Sequence, residues 1–115
     1  YKFHMNDVAA TIGLENLKGL KADLAARRRN AKVYGEIDAE SAYWFYPTHR
    51  DDRAGFIKRM AERGIMAGTV HERNDRYFMF KDSAAGELPG VDAFCKTQVN
   101  LPVGPWVDAR RIYAE

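Results

Sequence analysis

The sequence predicts an α/β domain of the α+β kind, with a small sheet of about three strands packed against helices behind a long N-terminal helical segment. Three observations predict it. Residues 6–34 carry apolar side chains at three- and four-residue steps behind a capping residue, which marks a helix. Two later apolar runs, 42–46 and 65–71, enclose a short amphipathic segment bounded by Asp51-Asp52 and Gly64, which reads as strand–helix–strand. The 115 residues suffice for one core but not for two independent ones.

Each element has its own signals. Asn6 or Asp7 can cap the first helix by accepting bonds from unpaired backbone N–H groups. Val8, Ile12, Leu17, Leu20 and Leu24 supply its apolar positions, and Gly35 offers a C-cap. Gly13 and Gly19 each weaken a helix interior by about 1 kcal/mol relative to alanine, so a bend or break near Gly19 is expected. Residues 42–46, Ala-Tyr-Trp-Phe-Tyr, are apolar on both faces and read as a buried strand closed by Pro47. A second helix over 53–63 follows, with Phe56, Ile57 and Met60 inward. Residues 77–80 suggest a further short strand, and 81–90 a loop. Residues 91–97 suggest a short helix with Val91, Phe94 and Cys95 inward. Residues 101–103 read as an edge strand, because Pro102 cannot donate within a central ladder. Pro105 suits the first turn of a closing helix packed through Trp106, Ala109 and Tyr113.

Composition narrows the function classes. The net charge of +2 is too small to argue for nucleic acid. The charge is uneven, with seven Lys/Arg against three Asp/Glu in residues 1–34. Arg27, Arg28, Arg29 and Lys32 fall late in the first helix, where cations suit the negative end of its dipole. No apolar run approaches the roughly 20 residues that cross a bilayer, and no secretory leader is visible. The single cysteine, Cys95, rules out an intrachain disulfide and reads as a buried small hydrophobe. These features are compatible with a cytoplasmic protein. His49, Arg50, Asp51 and Asp52 admit a metal or acid–base site, but a helix cap with local ion pairs explains them more simply. No metal-ligand spacing and no catalytic triad is present.

The opening Tyr1-Lys2-Phe3-His4-Met5-Asn6-Asp7-Val8-Ala9-Ala10-Thr11-Ile12-Gly13-Leu14 resembles a segment of the DegT/StrS-type sugar aminotransferases, which depend on pyridoxal 5'-phosphate (PLP). The resemblance continues through Arg27-Arg28-Arg29 before Tyr34, the aromatic run Tyr43 to Tyr46, the helix with Arg53 and Phe56, Gly64-Ile65, and Leu101-Pro102-Val103-Gly104. His71-Glu72-Arg73-Asn74-Asp75 is similar to the version in the perosamine-synthase-like branch.

The resemblance implies the C-terminal small domain of an enzyme that moves an amino group from glutamate to a nucleotide-linked 4-keto-6-deoxy sugar. Residues 1–35 would be interface helices and 36–115 the small domain, in a homodimer completed by an N-terminal large domain. The Schiff-base lysine and the acid for the pyridinium nitrogen would lie in that large domain, so no catalytic residue and no bound PLP is expected of the 115 residues alone. Lys2 and His4 would donate to the PLP phosphate of the partner subunit. His71, Arg73 and Asn74 would stand beside the sugar nucleotide, with Arg73 suited to a diphosphate. A self-paired polar turn accounts for the same cluster. Neither nucleic acid nor membrane is an expected partner. The competing reading is a free-standing, non-catalytic interaction or dimerisation module.

Overall fold

Asn6 starts the first helix by accepting the Ala9 N–H on its side-chain oxygen at 2.8 Å. The computed structural model describes residues 4–83 and 86–113, and Lys2 lies outside them. Helix α1, Asp7–Tyr34, is 28 residues long. It runs unbroken through Gly13 and Gly19, contrary to the expected break. No neighbour lies within 4 Å of the position a Cβ would take at either glycine, so nothing pushes the helix aside. The leucines, alanines, lysines and arginines around them outweigh two propensity penalties. At the other end a Cβ on Gly35 would stand 2.6 Å from the Tyr46 hydroxyl, so that ring would have to shift.

Strand β1, Phe45–His49, pairs antiparallel with strand β2, Gln98–Pro102. The register sets Phe45 opposite Pro102 and Pro47 opposite Asn100. Asn100 exchanges backbone bonds with Gly68 on its other side, at 2.8 and 3.3 Å. Its polar groups therefore face away from β1, and the Pro47 and Pro102 positions are the ones that need no donor. Hence β1 starts at Phe45 and runs through Pro47 rather than ending there, while Trp44 is 73% exposed. Strand β2 pairs with β1 on one side and meets Gly68 at Asn100 on the other, and its first four residues are buried.

The expected strand at 65–71 is reduced to the Gly68–Asn100 bridge. Beyond that bridge the Gln98 side chain, not a backbone group, takes the His71 carbonyl. The sheet of the described residues therefore has two strands. Residues 77–80 form no strand; a 3₁₀ segment runs over Phe78–Ser83, with Phe78 and Met79 exposed.

Helix α2, Arg53–Glu62, is capped by Asp52, whose carboxylate accepts the Gly55 N–H. It places Phe56 and Met60 on Val99 and Leu101 of β2. Helix α3, Pro89–Thr97, leads into β2. Helix α4, Arg110–Tyr113, adds Ile112 to the same core. Two expected inward stripes are corrected. Val91 and Phe94 of α3 are exposed and Cys95 is half-buried, because α3 covers an open hollow rather than the core. Trp106 is 82% exposed, while Ala109 and Ile112 do the packing.

The radius of gyration, 17.9 Å, exceeds the roughly 13 Å of a compact domain of this length. One contributor is α1, whose buried residues are Ala26 and Ala31. Val8, Ile12, Leu14, Leu17 and Leu20 are all exposed.

Candidate functional site

The cluster His71-Glu72-Arg73-Asn74-Asp75 leaves the Gly68 bridge and turns through a 3₁₀ helix at Asn74–Arg76. Arg73 organises this turn. Its Nε donates to Asp75 Oδ1 at 2.8 Å and its Nη2 to Asp75 Oδ2 at 2.5 Å, a bidentate pair. Its Nη1 donates to Asp92 on α3. The hydrogen bond from Arg73 holds the Asp75 carboxyl below the usual carboxylate range. The same bond raises the guanidinium above its own ordinary value. The fork that suited a diphosphate thus clasps two carboxylates of its own chain.

His71, Arg73 and Asn74 line one hollow of about 630 Å³ between this turn and α3. Phe80, Leu88, Val91 and Phe94 supply apolar wall. His71 and Asn74 are exposed, and the His71 ring packs edge-on against Phe45 with centroids 5.7 Å apart. Gln98 lies in the same lining and was not singled out by sequence reasoning. The signal was the alternation of polar and apolar residues in Gln98-Val99-Asn100-Leu101. Asp92, equally missed, gives no local signal because its role depends on α3 reaching Arg73.

His4 precedes α1 and is exposed, remote in sequence from the hollow. The 49–52 cluster resolves as the helix cap. Asp52 accepts from Gly55 and from Arg59 at 3.2 Å, and its carboxyl is lowered by the Arg59 hydrogen bond, then by the Gly55 N–H. His49 Nδ1 lies 2.8 Å from Thr97 Oγ1. Among the described residues no group of three His, Cys, Asp or Glu is placed to hold a metal ion. None of their helices is long and apolar enough to cross a membrane.

Two further hollows flank the core. One of about 570 Å³ lies over Phe56 and Leu101 between Tyr34 and Arg50. Burial, and then the Asp108 charge, push the Tyr34 phenol up to about 12. The other, of about 260 Å³, lies beside Gly64 and Trp106.

Comparison with known proteins places this geometry. The fold superposes on the sugar aminotransferase CalS13 from Micromonospora echinospora with a TM-score of 0.90 and 30% identity, over 98% of this chain and 35% of that one. AtS13 from Actinomadura melliaura matches equally well in TM-score, 0.90, at 33% identity over the same shares. The aminotransferase TlmJ from Streptoalloteichus hindustanus shares the fold at 23% identity and a TM-score of 0.82. The chain spans about a third of the length of these structures. No curated protein matches it significantly. The sequence profile of the DegT/DnrJ/EryC1/StrS aminotransferases matches residues 1–113, so the chain belongs to that family.

Proposed function

We propose that these residues are the C-terminal small domain of a PLP-dependent sugar aminotransferase. The observation that carries the reading is the superposition at TM-score 0.90 on two solved proteins, AtS13 and the sugar aminotransferase CalS13, at 30–33% identity. The complete enzyme takes the amino group of glutamate, leaving 2-oxoglutarate, and delivers it to the ketone of a nucleotide-linked 4-keto-6-deoxy sugar in the cytoplasm. The branch is the perosamine-synthase-like one. PLP, when bound, supplies the electron sink for moving the amino group. The share of this domain is contact and closure.

Residues 1–35 are the interface helices of a homodimer and 36–115 the small domain. The distribution of apolar residues on α1 supports this. Ile12 and Leu14 stand about 200° apart around the helix, so more than one of its sides needs a cover. The missing large domain and the partner subunit are those covers. Lys2 and His4, just ahead of α1, donate to the phosphate of the partner's PLP. His71, Arg73 and Asn74 line the face turned to the sugar nucleotide, with Arg73 shaping the wall through its two carboxylates.

The test is to express the longer reading frame that contains these residues and assay it with PLP, glutamate and a set of nucleotide-linked 4-keto-6-deoxy sugars. Bound PLP absorbance with stoichiometric 2-oxoglutarate and amino sugar supports the reading. A dimeric product that neither binds PLP nor consumes glutamate makes the chain an interaction module instead.

A further inference from the structure

The most buried polar residue lining the hollow beneath α3 is Gln98, 3% exposed. Its Nε2 donates to the His71 carbonyl at 2.7 Å. That bond sets the orientation of the amide, because a carbonyl oxygen accepts and cannot pair with the other end. Oε1 is left buried without a hydrogen-bond partner among the described residues. Such an acceptor costs free energy unless a donor meets it.

The walls say what kind of donor. Phe80, Leu88, Val91 and Phe94 are apolar, and the Arg73 fork is closed by Asp75 and Asp92. Glu72 adds a third carboxylate at the rim. Among the described lining residues a phosphate finds no open cation and meets like charge. A neutral planar ring with an N–H on its edge finds apolar walls for its faces and a buried acceptor for its donor.

We propose that this hollow takes the nucleobase of a nucleotide ligand, with a ring N–H donating to Gln98 Oε1, and that Gln98 is the residue that selects for it. This rests on the sugar-nucleotide reading above and deepens it, since the diphosphate then lies outside the Arg73 turn. A volume of about 630 Å³ is ample for a nucleoside.

The test uses the full-length protein and uridine, whose N3–H is the donor, against N3-methyluridine, measured by ligand-observed NMR and calorimetry. Uridine binding that weakens about tenfold on N3-methylation supports the proposal. In Gln98→Leu, uridine binds as weakly as N3-methyluridine does to the parent, and methylation has no further effect. Equal affinity of the parent for the two nucleosides, or no uridine binding at millimolar concentration, overturns it without relying on a variant that folds. PLP absorbance and glutamate turnover in the same samples report the aminotransferase reading independently. Loss of one readout with retention of the other shows which inference failed.

Discussion

The side-chain amide of Asn30 donates to the backbone carbonyl of Gly104 at 2.9 Å, joining α1 to the segment that follows β2. The same Nδ2 lies 3.2 Å from the Val103 carbonyl and 3.0 Å from that of Val107. One NH₂ group with two protons thus satisfies a nest of three acceptors. Asn30→Ala should destabilise the chain by about 1–3 kcal/mol, because the Val103 and Val107 carbonyls lose this donor while Gly104 keeps the Val107 N–H. Asn30→Asp should cost more, since it points a carboxylate at those carbonyls. Denaturant midpoints should fall in the order parent, Ala, Asp; an Asp variant as stable as the parent would remove Asn30 as the clamp.

Tyr34 donates its hydroxyl to the Pro102 carbonyl at 2.9 Å, and its pKa is pushed up to about 12. A raised pKa means that the protonated form is favoured by folding. The contribution is complete below pH 10, the ordinary phenol value, and is lost as pH rises from there through 12. Stability should therefore decline over pH 10–12 in the parent and more shallowly in Tyr34→Phe. At neutral pH the variant should lose about 1 kcal/mol from the missing bond. Parallel alkaline limbs in the two proteins would contradict this.

Asp75 carries a lowered pKa through Arg73. Its contribution is present above the ordinary carboxylate pKa and lost as pH falls through the lower folded value. Asp75→Asn should lower neutral-pH stability by what the Arg73 pair contributes and flatten the acid limb. Amide exchange of Arg76 and Tyr77, whose N–H groups close the 3₁₀ turn, should speed up. Unaltered exchange there would mean that the turn holds without the ion pair.

Ile12 is 57% exposed on α1. Ile12→Glu should change the stability of the 115-residue chain by no more than about 0.5 kcal/mol, as for an ordinary surface substitution. In the longer protein it should lower the dimer fraction seen by sedimentation. Full dimerisation of that variant would move the interface off this part of α1.

Local chemistry was legible where one residue decides the outcome within a few neighbours. The Asn6 and Asp52 caps, the α2 face of Phe56 and Met60, and the termini near Gly35 and Gly64 depend on groups three or four positions apart. The site was legible only as a stretch: residues 71–74 could be named, but not that Asp92, on a later helix, would occupy Arg73. Trp106, Phe94 and the 77–80 run misled for one reason. An aromatic or apolar side chain states that it can be buried, not that a surface is present to bury it.

The sequence by itself determined the family, a helical first segment but not its continuity through Gly19, the capped second helix and the α+β class, because periodicity, caps and motif order are carried by near neighbours in the chain. Only the tertiary structure decided that β1 and β2 are neighbours and that residues 65–71 contribute a single bridge. It also decided that Gln98 lies buried beside His71 with an unpaired oxygen. Those outcomes depend on which backbone groups meet across 27 to 74 positions of chain, as the Gln98–His71 and Asn30–Gly104 bonds do. Hydrogen-bond partners at that separation are chosen by packing of the whole core, and no local pattern encodes them.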